Sequence, residues 1–190
     1  MPGIDQMKKT MVKQKIPMEI ISKFDNLESN GNKYDDIITF INQMDVLLSK
    51  EQRLSVMEEQ GCHKHESVVA PFRQFGIANA DKTIEEKIKL LDKLESVHKP
   101  PCRLNSDGTL EIYWGHEQNG NYRCVCSIIP KLTEHKNVSI TYCGCCGGHV
   151  RHTFQYALGV KLRLKDIVSS PLISNGKNYC KFIFEIIHKK

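Results

Sequence analysis

Hydrophobic positions over residues 34–97 recur every three or four residues, which predicts a run of amphipathic helices. Ile37, Phe40, Ile41, Met44, Leu47 and Leu48 form the first apolar stripe. Ser49 and Gln52 make a capping-box pair that opens a second helix, and Gly61 is placed to end it. A short third helix is predicted over 68–77, with Pro71 in its first turn, where a missing N–H has no helical partner to lose. Thr83 and Glu86 repeat the capping-box pattern, after which Ile84, Ile88, Leu91 and Leu94 share one face. Pro100 and Pro101 cannot continue a helix and mark a boundary.

Beyond Pro101 the period drops to two. Residues 102–104 and 110–114 read as strands around the turn Asn105-Ser106-Asp107-Gly108. Residues 122–129 follow a second turn, Gln118-Asn119-Gly120-Asn121, and 137–143 form another β-branched alternating run. Helical spacing returns over 147–158, with Val150, Phe154, Ala157 and Leu158 on one side and Gly159 as the C-cap. Strands at 160–168 and 179–187 close the chain around Ser174-Asn175-Gly176-Lys177, and Cys180, Phe182, Phe184 and Ile186 share a face. This order predicts an α+β fold: N-terminal helices followed by a mostly antiparallel sheet with one inserted helix. The division is an N-terminal extension over 1–33, a helical region over 34–100, and a Cys-rich α+β region over 101–190 that joins the helices in one globular domain.

Composition narrows the class. With 190 residues, 40% hydrophobic and 26% charged, the chain is neither disordered nor fibrous, and no apolar run approaches the roughly 20 residues that span a bilayer. The net charge of +5 comes from lysines and arginines spread along the chain with no RNA-recognition or helix-turn-helix signature, which argues against nucleic acid. Lys8 to Lys15, Lys189 and Lys190 read as solvated tails. The first 20 residues lack the apolar core and cleavage site of a secretory signal, so the expected compartment is a reducing cytoplasm. There, eight cysteines act as thiols or ligands rather than disulfides.

The densest chemistry is Tyr142-Cys143-Gly144-Cys145-Cys146-Gly147-Gly148-His149, placed where a predicted strand becomes a helix, with glycines relaxing the backbone. Thiolates are soft ligands for zinc or iron–sulfur clusters, and imidazole suits zinc. A helix N-terminus also lowers thiol pKa, as a ligand or a nucleophile needs. Cys124 and Cys126 fall on one face of a predicted strand, and Cys180 on the last strand is a further partner, with Cys102 behind it. His149, His152 and Tyr156 form a stripe on the inserted helix; His149 is the better ligand candidate, and His152 reads as solvated. Cys62, in the run Cys62-His63-Lys64-His65 after Gly61, reaches the sheet thiols if the helices pack on that side. Taken singly, Cys102, Cys126 and Cys180 also fit as small buried hydrophobes.

The strand, Cys-rich turn, helix ending in Leu158-Gly159, strand, then Gly176-Lys177-Asn178-Tyr179-Cys180-Lys181-Phe182 resembles the C-terminal part of the 4-vinyl reductase-type small-molecule-binding domains. It is also similar to the L-2-amino-thiazoline-4-carboxylic acid hydrolase-like proteins of bacteria. The resemblance covers about the last third of the chain. It implies a pocket between helices and sheet for a small, often apolar molecule. It also implies zinc held by the hairpin cysteine, to which Cys180 corresponds, and by an earlier one, to which Cys146 corresponds. The sensors' acidic residue and further cysteine before the hairpin are missing from Val168-Ser169-Ser170-Pro171, so a metal here would need Cys143, Cys145, Cys124 or Cys126.

The leading expectation is therefore a cytoplasmic, sensor-like protein that binds a small organic ligand and carries a cysteine-based zinc site. Its ligands come from Cys124, Cys126, Cys143, Cys145, Cys146 and Cys180, with His149 or Cys62 in addition. One alternative is a hydrolase of small cyclic amides or thiazolines that uses a thiolate or metal-activated water, with His149 as base. Another is a thiol redox or iron–sulfur protein using vicinal Cys145 and Cys146. No membrane partner is expected, and a homodimer stays open, because the N-terminal helices can cover the sheet, swap with a neighbour or roof the pocket.

Overall fold

A computed structural model describes residues 3–27, 29, 31–62, 65–93, 102–124, 126–129 and 138–187. The chain opens with α1 (Ile4–Lys13) and α2 (Met18–Ile21), followed by a 3-10 turn over Ser22–Asn26. These residues are not a solvated tail. Met7, Met11, Ile16, Ile21 and Phe24 are buried, while Lys9, Lys13 and Lys15 lie on the outer side and Lys8 pairs with Asp25. Met7 and Met11 sit four apart, so one helical face carries both into the interior.

Capping sets the following helices. Asn32 accepts the Tyr34 N–H at the start of α3 (Lys33–Leu47), and the reciprocal Ser49–Gln52 box opens α4 (Lys50–Glu59). Next, α5 (Glu66–Ala78) begins earlier than its spacing predicts, so Pro71 falls in the second turn and deprives the Ser67 carbonyl of a helical donor. The Thr83–Glu86 box then opens α6 (Ile84–Leu91). Leu94, Pro100, Pro101, Lys189 and Lys190 lie outside the described residues.

The sheet runs β1 (Cys102–Leu104), β2 (Leu110–Trp114), β6 (Cys180–Ile187), β5 (Lys161–Ser169), with every pairing antiparallel. The register sets Trp114 beside Cys180, Ile112 beside Phe182 and Leu110 beside Phe184. A separate hairpin pairs β3 (His116–Gln118) with β4 (Asn121–Arg123). Its two-residue loop uses positive φ at Asn119 (53°) and Gly120 (77°), the chemistry such loops require. Inserted before β5 is α7 (Gly144–Leu158), ended by left-handed Gly159. The fold is α+β, helices first, with a mostly antiparallel sheet and one inserted helix.

Two predicted strands are corrected. Over 137–143 the described part is a 3-10 turn at Ile140–Cys143: the Ser139 side chain accepts the Thr141 N–H, the Ser139 N–H donates to Asn42, and Thr141 bonds Asp45. Side-chain capping and the tie to α3 override the β-branched alternation. The strand expected over 122–129 stops at Arg123, and within it the Tyr122 N–H donates to the Gly176 carbonyl in the facing turn, at 2.8 Å.

Buried apolar side chains gather in two clusters. One lies between the inner sheet face and α5, α6 and α7, and includes Leu110, Ile112, Phe182, Phe184, Val150 and Phe154. The other packs α1, α3 and α4 through Met7, Met11, Phe40, Ile41, Met44 and Met57. Helix α4 belongs to both, giving Leu54 to the first and Val56 and Met57 to the second. It also closes the sheet edge, since the buried Glu58 carboxylate accepts the Leu164 N–H of edge strand β5 at 2.7 Å and pairs with Arg151 at 2.8 Å. Among the described residues no helix is long and apolar enough to cross a membrane.

Candidate functional site

The glycines of the Cys-rich run sit within α7 in ordinary helical backbone, so conformational freedom is not what they supply. They supply room. A Cβ at Gly148 would stand 2.0 Å from the Glu58 carbonyl oxygen, and one at Gly144 would stand 2.7 Å from Met57 Cβ. Across the contact, a Cβ at Gly61 would meet the Gly148 backbone at 2.7 Å. Bare backbone on both sides brings the C-terminal end of α4 against the N-terminal turns of α7. The Cys-rich run therefore lies on the seam between the two cores: Cys143 is buried in the first, and Tyr142 and Cys145 in the second.

All eight cysteines are in the thiol form, with no disulfide among them. Thiols from four separate segments are electrostatic neighbours at this seam. A charge on Cys143, Cys180, Cys126 or Cys62 would raise Cys146, a charge on Cys124 or Cys126 would raise Cys143, and a charge on Cys143 or Cys124 would raise Cys180. Cys145 turns toward α4 instead, where its Sγ donates to the Gln60 carbonyl at 3.2 Å and is hydrogen-bonded to Cys62. Cys102 is buried on β1, where its charged neighbour is Asp92, and it acts as a small core residue.

Several sulfurs face hydrogen-bond donors. With β4 ended at Arg123, Cys124 and Cys126 lie beyond the ladder, and the Cys126 backbone N–H points at the Cys124 sulfur. This corrects the expected one-face strand placement. Cys126 Sγ and the Tyr142 hydroxyl are hydrogen-bonded. Ser170, fully buried, turns its hydroxyl toward Cys143, and the oxygen has no other partner among the described residues. Tyr142 and Ser170 were not singled out from the sequence. Tyr142 precedes the first cysteine of the run, and Ser170 lies in the Val168-Ser169-Ser170-Pro171 stretch that stood out for lacking a cysteine or an acid.

Burial pushes Cys143 up to about 12 and Cys146 well above its ordinary value. For Cys145 the bond with Cys62 is the first cause and burial the second. The lowering expected from the α7 N-terminus does not prevail, for a reason of magnitude. A helix end contributes roughly 0.3–1 kcal/mol, below the 1.4 kcal/mol of one pKa unit, whereas full burial moves a group by up to about 3–5 units.

His149 is buried one turn beyond Cys145 and Cys146, its ring centroid 5.2 Å from that of Trp114, which pairs with Cys180 across the strands. His152 stays half-buried with its ring against Tyr156, over which Arg73 lies at 5.0 Å. His63 and Lys64 lie outside the described residues. Cys145 and Cys146 are successive residues of α7, so their side chains leave the helix about 100° apart. Among the described residues no three His, Cys, Asp or Glu side chains are grouped tightly enough, as they stand, to hold an ion.

Beside Cys124 an open groove of about 520 Å³ separates the β3–β4 hairpin from the turn before β6; it is walled by Gln118, Asn119, Asn121, Arg123 and Asn175. Between helices and sheet, where an apolar pocket was expected, Ile112, Val150, Phe182 and Phe184 are packed at 0% exposure. No family model matches the chain, and no curated protein matches it.

Proposed function

We propose that this protein is a sensor-like small-ligand-binding protein of a reducing cytoplasm, in which a zinc ion held by thiolates joins its two cores. The supporting observation is the pair of donors aimed at sulfur, a backbone N–H at Cys124 and the otherwise unpartnered Ser170 hydroxyl at Cys143, beside the hydrogen bond that Cys126 shares with the Tyr142 hydroxyl. A neutral thiol is a weak acceptor and needs neither donor. Four thiolates around a divalent zinc leave a net negative charge, which such outer donors offset.

The donor chemistry fits zinc, being all soft sulfur. Cys143, Cys146 and Cys180 would hold the ion together with Cys124 or Cys126, and binding would draw these thiols together. When bound, zinc supplies a crosslink between segments far apart in sequence. Cys62 and Cys145, turned to each other, stand outside this set. The reading extends the resemblance to the 4-vinyl reductase-type domains, and the groove beside Cys124 is where a small polar ligand would sense the metal. Burial works against the hydrolase alternative, since a nucleophile must meet a substrate from solution and Cys143 and Cys145 are enclosed in the cores.

Because Cys143, Cys146 and Cys180 are raised, zinc must displace protons, and its affinity is expected to rise with pH. The test is metal content and melting temperature of the wild type, Cys146→Ser and Cys180→Ser, each with and without a chelator. About one zinc per chain is expected in the wild type, with a melting temperature that the chelator lowers. Both variants should lack zinc and ignore the chelator. A swap of buried thiol for hydroxyl itself costs about 1–3 kcal/mol, so the chelator response is the deciding readout. Zinc retained in Cys146→Ser, with wild-type melting, would overturn the reading.

A further inference from the structure

We infer that Cys62 and Cys145 form a dithiol that a hydroperoxide converts to a disulfide, a modification site separate from the zinc-holding thiols. It stands on the helix contact just described and does not depend on zinc. Gly61 rests against the backbone of Gly148 and His149, which sets the next residue, Cys62, beside the first turns of α7. From the other side Cys145 Sγ reaches the last residues of α4, donating to Gln60. Both sulfurs belong to the same apolar cluster, Cys145 buried within it and Cys62 half-buried on its margin.

The unequal exposure divides the work. Cys62, the half-buried partner, attacks the peroxide: an S–O bond forms, the O–O bond breaks, and the alcohol (or water, from hydrogen peroxide) leaves with the proton. Cys145 then attacks the sulfenic acid. The S–S bond forms, the S–O bond breaks, and the hydroxyl departs as water with the Cys145 proton. Two thiols give up two electrons and the peroxide accepts them, so no further reductant or oxidant is needed. Burial shields Cys145 from direct oxidation. The product would link the end of α4 to α7 across the seam, adding a covalent bond to the Glu58–Arg151 pair and the packing that hold them.

The experiment treats the full chain with equimolar hydrogen peroxide, blocks remaining thiols by alkylation and maps non-reduced peptides by mass spectrometry. A Cys62–Cys145 linked peptide is expected, with thiols titrated in denaturant and chelator falling by two per chain from eight and returning with dithiothreitol. Cys62→Ser, altered on a half-buried loop, should keep all its remaining thiols at the same dose. Cys145→Ser should accumulate a sulfenic acid on Cys62 that dimedone traps. A link through Cys146 or any other pair, or unchanged thiol loss in Cys62→Ser, would overturn the inference. Zinc content measured on the same samples separates this outcome from failure of the zinc reading.

Discussion

Gly148→Ala is expected to destabilise the protein by about 3 kcal/mol or more, at the upper end of what overpacking does. The added methyl would meet the Glu58 carbonyl oxygen at 2.0 Å, its carbon at 2.7 Å and its Cα at 2.9 Å. These are backbone atoms of a helix, and no rotamer change relieves them. The helices must separate, which loosens both cores, because α4 contributes to each. Gly147→Ala, one residue earlier, provides the contrast. Its nearest clash is Leu164 Cδ2 at 2.8 Å, the end of a flexible side chain, and alanine's better helix propensity, worth about 1 kcal/mol, offsets part of the cost. Urea denaturation of both variants measures the difference. Equal losses would show that the close backbone approach is not what these glycines serve.

Glu58→Ala is the second large effect, expected at roughly 3 kcal/mol, the lower end of the range for breaking a buried pair, because Arg151 keeps a second partner in Glu59 at 2.9 Å. The variant would leave Arg151, whose side chain is only 16% exposed, with the Glu59 carboxylate alone, and leave the Leu164 N–H on the sheet edge without its acceptor. Glu58→Gln keeps a carbonyl for Leu164 and should lose less. The two also differ with pH. Burial raises the Glu58 pKa, outweighing Arg151 and the Leu164 N–H, which lower it. A carboxyl raised on folding contributes stability that is fully present below its unfolded value and is lost as pH rises through the folded one. The wild type should therefore lose part of its margin over Glu58→Gln across that window, as read by denaturation midpoints at stepped pH. A margin that grows with pH would contradict the assignment.

The helices with explicit start signals were legible in the sequence. Ser49–Gln52 and Thr83–Glu86 name their own first turns, because each pair satisfies two N–H groups that nothing else reaches. The last strand was legible too, since Cys180, Phe182 and Phe184 alternate strictly and point inward. Tertiary ties governed what was not. Residues 139–143 alternate like a strand, yet Asn42 and Asp45, almost a hundred positions earlier, hold them as a turn. At the site, sequence identified which thiols were unusual. It had no means to separate Cys145 from Cys146, because that division depends on α4 lying against α7. The glycines carried the signal: three in five positions of one helix mark a close backbone contact, and Gly61 is the complementary gap on the other side.

A zinc ion at the seam is the account's central claim. Elemental analysis of anaerobically purified protein, with reactive thiols counted before and after chelation, tests it most directly. The account predicts about one zinc per chain and several thiols that become reactive only when the metal is withdrawn. Protein without metal, with the same thiol count before and after chelator, would contradict it.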